Sequence, residues 1–208
     1  MLREYVFGDI FCELRMGTKR KLVVSNFNET EQKSNAVKVY IVLINMRRTM
    51  LICFDRFNKM GSIGVAEGEK ITLAFEYAAQ KKLAVVAVVA SGGMRINEGT
   101  VALVQMAKMV DAVKKHSDKG LLYIAVVTNP TLGGASASFV SLADIIIAEK
   151  GAIYGFAGKR IIEHSTREQL PEDFQTSEYA MQHGMVDVVV DKKEIKSIIA
   201  RLLFMHMK

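Results

Sequence analysis

Apolar residues are distributed along this chain in two patterns. LAVVAVVA (83–90) and LLYIAVVT (121–128) are unbroken apolar runs, which suit parallel strands buried on both faces. Elsewhere apolar side chains recur every three or four residues. Ile71, Ala74, Phe75 and Ala78 predict a helix over 67–81, and Val101, Met106, Met109, Val110 and Val113 predict a second over 98–117. The second closes on Lys114-Lys115-His116, where the helix dipole favours cations. Upstream, VYIVLI (39–44) and TMLICF (49–54) read as a hairpin joined by the polar link NMRR. Downstream come a short helix over 137–142, the segment DIIIAEKGAIYGF, a loop AGKRIIEHSTREQLPEDF, a helix over 176–183, a strand MVDVVV and a closing helix from 192. Residues 1–38 carry little pattern and end in the polar run NFNETEQKSN. The expected organisation is a leader over 1–38 and one domain over 39–208.

One arrangement occurs twice. An apolar strand, a glycine pair and a helix follow one another with Gly92-Gly93 and then Gly133-Gly134 at the joints, a βα alternation of the α/β class. Neither joint carries GxGxxG or GxxxxGK[ST], so dinucleotide and P-loop sites are not indicated. At such a joint the first helical N–H groups lack partners, the dipole is positive, and glycine removes the Cβ that would hold a ligand away. A developing oxyanion suits that environment. A pair of glycines can also serve only a tight turn; two pairs in equivalent places favour two anion-binding corners. Near the first, Arg95 and Glu98 are expected to brace the loop, with Glu98 in the first turn of the helix over 98–117.

Composition narrows the chemistry. The chain has 208 residues and a net charge of +6, which favours anionic partners in general, CoA-type phosphates among them. Basic clusters (Lys19-Arg20-Lys21, Arg47-Arg48) lack aromatic interleaving, so nucleic acid is not an expected partner. Cys12 and Cys53 form no metal pattern, and no run reaches membrane-spanning length, so a cytoplasmic setting is expected. His116, His164, His183 and His206 stand beside no nucleophile motif; Ser136 and Ser138 fit no GxSxG and are expected to cap or pack the short helix. Backbone electrostatics is therefore the expected source of any catalysis.

With those residues in view, GSIGVAEGEKITLAFEYA (61–78), SGGMRINEGTVALVQMAK (91–108), TNPTLGGASASF (128–139), GFAGKRIIEHSTREQLPEDFQTSEY (155–179) and HGMVDVVV (183–190) resemble the beta subunits of acetyl-CoA carboxylase carboxyltransferase. These belong to the crotonase-like (ClpP/crotonase) superfamily. The resemblance covers about 49–200. It implies a ββα-repeat core and carboxyl transfer from carboxybiotin, held on a separate carrier protein, to acetyl-CoA to give malonyl-CoA, serving fatty acid biosynthesis. It implies a homologous alpha subunit in a heterotetramer, with biotin carboxyl carrier protein and biotin carboxylase as further partners. Carried onto this sequence, Gly92, Gly93, Gly133 and Gly134 become the oxyanion candidates. Gly61, Ser62, Gly64 and Arg95 lie on the CoA approach, and Gly155, Phe156, Ala157 and Gly158 line the region near the partner.

The sequence departs from that family in several places. The four-cysteine zinc ribbon common in bacterial members has no counterpart, so no zinc is expected. Met60 precedes Gly61 where two glycines are usual, and Met94 stands where alanine is common. The alternatives are a related acyl-CoA enzyme, such as a malonyl-thioester decarboxylase subunit, and a degenerate non-catalytic partner subunit.

Overall fold

The computed structural model of the chain describes residues 36–206, so the leader, apart from 36–38, lies outside the described residues. A single six-stranded sheet runs in chain order: β1 (Val37–Ile44), β2 (Arg47–Phe54), β3 (Ala84–Ser91), β4 (Tyr123–Thr131), β5 (Ile145–Glu149) and β6 (Val188–Val190). β1 pairs antiparallel with β2, and every later pair is parallel. The helices are α1 (Val65–Lys81), α2 (Thr100–Ser117), α3 (Gly133–Ser138), α4 (Lys159–Thr166), α5 (Ser177–Gln182) and α6 (Ile195–His206).

The unbroken apolar runs have the predicted cause. Alternate residues of each strand enter two separate cores. Val85, Ala87 and Val89 of β3 pack with Ile71 and Phe75 of α1 and Met109 of α2, whereas Val86 and Val88 face Ile195, Ile199 and Leu203 of α6. In the first core Phe75 meets Tyr123 edge-on at 5.0 Å and His116 at 5.5 Å. His116 is fully buried and donates from Nε2 to the Leu83 carbonyl (2.9 Å), with its Nδ1 unpartnered. Burial lowers its pKa and keeps the ring neutral.

Four features differ from the sequence expectation. The hairpin link is shorter than NMRR: Asn45 and Met46 alone turn the chain, at φ 46° and 64°, and Arg47 and Arg48 already lie in β2. Two successive positive φ values match the strands' right-handed twist, which fixes so short a turn. α2 begins at Thr100, because Gly99 (φ 66°, ψ −153°) breaks helical geometry and leaves Ile96–Glu98 as a separate 3₁₀ turn. The segment expected as a loop, 157–174, contains α4, an amphipathic helix with no buried residue. The expected helix over 137–142 starts earlier, at Gly133, so the second glycine pair is the helix's own first turn.

Candidate active site

The loops leaving the C-terminal ends of β2, β3 and β4 meet above the sheet. The β2 and β3 loops are tied together by backbone. Gly92 N–H donates to the Met60 carbonyl (3.0 Å), Ile63 N–H to Gly93 (2.9 Å) and Arg95 N–H to Ile63 (2.7 Å). The Ser91 hydroxyl donates to the Gly61 carbonyl (2.7 Å) and accepts from Gly93 N–H (3.1 Å). Gly61 lies at φ 63°, and a Cβ there would overlap the Ala90 carbonyl oxygen, so only glycine admits this approach. Met60, where the resemblance places glycine, is itself left-handed (φ 54°, ψ 29°) with an exposed side chain.

The two glycine pairs are parts of one place. A Cβ on Gly93 (φ 105°) would lie 3.2 Å from Gly133 Cα, and one on Gly133 (φ 64°) would lie 3.2 Å from Gly93 Cα. The close packing is backbone against backbone. It also engages most of the amides expected to be free. Gly92 donates to Met60, Gly93 to Ser91 Oγ, and Gly133 to the Phe156 carbonyl (2.9 Å). Among the described residues, the Gly134 and Met94 N–H groups donate to no protein acceptor. Gly134 sits in the first turn of α3, where no intrahelical acceptor exists. Met94 bridges Ile63 through its neighbours' bonds, which turns its own N–H to the other side, toward the β4 loop. Its side chain then folds onto Gly134: a Cβ there would meet Met94 Cγ at 2.5 Å, Met94 Sδ at 3.1 Å and Met106 Sδ at 3.2 Å.

Arg95 braces this arrangement. Its guanidinium binds Glu67 (2.8 Å), Glu98 (2.8 Å), the Ser62 carbonyl (2.8 Å) and Ser62 Oγ (3.2 Å). Burial opposes the guanidinium charge, yet the bonds to Glu67 and Glu98 outweigh it and raise the pKa. Glu98 caps α1 and not α2 as expected, accepting from Val65 N–H at 2.7 Å. That backbone bond, with Arg95 second, holds its carboxyl below the usual range. A Cβ on Gly64 would strike Arg95 and the Glu98 carboxylate at 2.5 Å, so this glycine makes room for the brace. Glu67 is the partner that sequence reasoning missed. It accepts from Gly64 N–H (3.1 Å), and its place three residues after a helix N-cap is the spacing that could have found it.

A fourth segment, 155–158, supports the β4 corner with neutral groups. Ser136 Oγ lies 2.6 Å from the Gly155 carbonyl and 2.7 Å from the Gly133 carbonyl, and its single proton is shared between these two acceptors. Ser138 donates to the Gly134 carbonyl (2.5 Å), so both serines, expected to cap or pack the short helix, are buried within it, and neither is its N-cap. Gln175, a second missed residue, donates to the Ala157 carbonyl (2.6 Å) and fills the space a Gly155 side chain would take. Gly158 is the N-cap of α4, and the Phe156 ring is 66% exposed beside the corner.

Among the described residues, the carboxylates at the corner, Glu67 and Glu98, are engaged by Arg95, and none of the four histidines lies in the loops that form it. His116 is in the core, and His164, His183 and His206 are exposed on or next to helices remote in sequence from the glycines. Cys53 is buried, and burial pushes its thiol up to about 12. Among the described residues no group of His, Cys, Asp and Glu could hold a metal ion, and no helix is long and apolar enough to cross a membrane.

Comparison with known proteins agrees with this geometry. The carboxyl transferase domain model matches residues 13–206. Subunit beta 1 of the acetyl-coenzyme A carboxylase carboxyl transferase of Lachnospira eligens is 43% identical over 206 residues, 96% of this chain and 80% of that protein. The beta subunit of Clostridioides difficile is 43% identical over 190 residues, 91% and 67% of the two chains. Among solved structures, a Pseudomonas malonate decarboxylase hetero-tetramer in complex with malonate superposes with a TM-score of 0.81 at 20% identity, covering 97% of this chain and 82% of that one. Transcarboxylase 12S superposes at 0.82 with 26% identity, covering 97% of this chain and 42% of that one. The fold is the α/β crotonase-like one that the resemblance implied, and the chain belongs to the carboxyl transferase domain family that includes the beta subunits of acetyl-CoA carboxylase carboxyltransferase.

Proposed function

We propose that this chain, with a homologous alpha subunit, moves a carboxyl group from carboxybiotin to acetyl-CoA, giving malonyl-CoA. The observation that carries the reading is that the Met94 and Gly134 amides are left without protein acceptors where the two loops meet, while the charged groups there, Arg95, Glu67 and Glu98, engage one another and the backbone. Over the exchange the acetyl methyl gives up one proton and gains the carboxyl group, while the biotin ring nitrogen that loses the carboxyl group gains the proton; in between, charge gathers on the thioester oxygen. Two N–H donors fixed beforehand stabilise that charge, and losing one such donor costs about 3 kcal/mol in the transition state. Gly93 and Gly133 act by shape, since their missing side chains let the two loops close, whereas Gly92 contributes the backbone bond that ties its loop to Met60. Gly61, Ser62 and Gly64, held by Arg95, form the side on which CoA approaches. Biotin supplies the carboxyl group in activated form, and the chain's task is to orient the thioester and keep its oxygen charge satisfied.

Phe156, with Ala157 and Gly158 leading to the exposed Ile161, forms the face for the alpha subunit. Heterotetramer assembly with that subunit, and service by biotin carboxyl carrier protein and biotin carboxylase, follow from the same reading. Supporting it, malonate decarboxylase relatives of this fold are described as a hetero-dimer and a hetero-tetramer. A malonyl-thioester decarboxylase would use the same corner, but its likeness is of fold at 20% identity, against 43% for the carboxyltransferase subunits.

The test is malonyl-CoA-dependent carboxylation of free biotin by the purified chain mixed with a cognate alpha subunit. Activity is expected in the mixture and not in either component alone. Gly134→Val keeps its N–H but puts a side chain where Met94 and Met106 already stand, and it should lower activity at least about tenfold by crowding the corner. An inactive mixture overturns the reading in favour of a non-catalytic subunit, release of CO₂ without biotin carboxylation favours the decarboxylase, and full activity in the valine variant overturns the placement of the thioester at this corner.

A further inference from the structure

We infer that the Met94 side chain, backed by Met106, is what restricts this site to the two-carbon acyl group; the inference rests on the carboxyl-transfer reading above. Met94 contributes twice at the corner. Its N–H is an open donor, while its side chain turns back over Gly134, whose N–H is another. Met94 Cγ and Sδ and Met106 Sδ all stand within 3.2 Å of where a Gly134 Cβ would be. Both methionines are half-buried, and Met94 packs against the first core.

The consequence follows from reach. A thioester oxygen bonded to both amides sits about 3 Å from each nitrogen. The acyl carbon beyond it is then within van der Waals distance of side chains rooted at the same residues. An acetyl methyl is the smallest group that can occupy that space. Each added methylene must displace the thioether of Met94, with Met106 limiting its retreat. Methionine is flexible, so the limit is graded and not absolute. One methylene in such a pocket is typically worth about 10–200-fold in kcat/KM. Met94→Ala removes Cγ, Sδ and Cε while leaving the N–H donor in place.

The experiment compares kcat/KM for acetyl-, propionyl- and butyryl-CoA in the complex with the alpha subunit. The wild type should prefer acetyl-CoA, and Met94→Ala should shift the propionyl-to-acetyl ratio upward by at least about tenfold. Met106→Ala should shift it the same way by less, and it decides the matter should Met94→Ala fail to fold. A ratio that stays put in a variant still active on acetyl-CoA overturns this inference alone. A wild-type complex inactive on every thioester overturns the carboxyl-transfer reading and this inference with it. The contact itself has a readout independent of activity. Gly134→Ala should lower the Tm, and adding Met94→Ala should restore much of the loss; no restoration overturns the contact on which the inference stands.

Discussion

The two glycine corners look like repeats in the sequence and are built differently in space. At the β3 corner the chain stays extended past the glycines, both glycine amides are engaged, and the open donor belongs to the next residue, Met94. At the β4 corner the chain enters a helix at once, so the open donors are those of its first turn, the second glycine among them. Their supports differ as well. The β3 corner hangs on charged groups, Arg95 with Glu67 and Glu98, whereas the β4 corner is held by the hydroxyls of Ser136 and Ser138 and the amide of Gln175. A glycine pair thus marks where backbones must approach. Which amide is left open depends on which carbonyls lie within reach.

The contrast can be broken most decisively at its charged support. Arg95→Ala leaves the Glu67 carboxylate, 1% exposed, without its cation, and should cost about 3 kcal/mol in urea unfolding, at the lower end for breaking a buried pair. Ser136→Ala at the other corner should cost about 1 kcal/mol, the worth of a neutral hydrogen bond. Equal losses would erase the distinction.

Within the first pair, Gly93→Ala should be the costly change. Its φ of 105° and the 3.2 Å approach to Gly133 predict a loss of about 2 kcal/mol. Gly92→Ala should stay within about 0.5 kcal/mol, because a Cβ there meets nothing closer than 3.7 Å. Similar losses at both positions would mean that the turn, and not the contact between corners, demands glycine.

The smallest effect is on pH. Glu98 has a depressed folded-state pKa, so its contribution is present above the unfolded carboxyl value, about 4.3, and is lost as pH falls through the folded value. The stability difference between wild type and Glu98→Gln should therefore shrink below pH ~4.3. Titration of the Val65 amide by NMR reads the same event locally. No comparable acid step is expected at the β4 corner.

Much of this was legible in the linear pattern. Continuous apolar runs marked strands covered on both faces, and three- and four-residue spacing marked α1 and α2, since burial imposes those periods whatever the fold. What escaped was decided by partners distant in sequence. Glu98 lies two residues before α2 and reads as part of it, yet it caps α1, because the β3 loop folds back along the β2 loop. Glu67 and Gln175 show no motif that reaches across to Arg95 or Ala157. α4 was read as part of a loop because it is two turns long and mostly polar, so that Ile161 and Ile162 alone mark its apolar side.

By itself the sequence determined the alternation of strand, glycine pair and helix, and the family resemblance that gives the corners their chemistry. Local sterics and the period of burial suffice for that. Only the tertiary structure decided that the two corners are one site and that Met94 and Gly134, not the whole glycine set, present open amides. It also decided that the Met94 thioether covers the second of them. Hydrogen-bond satisfaction is a property of neighbours in space, and a backbone donor is free or engaged only once every strand and loop around it is in place.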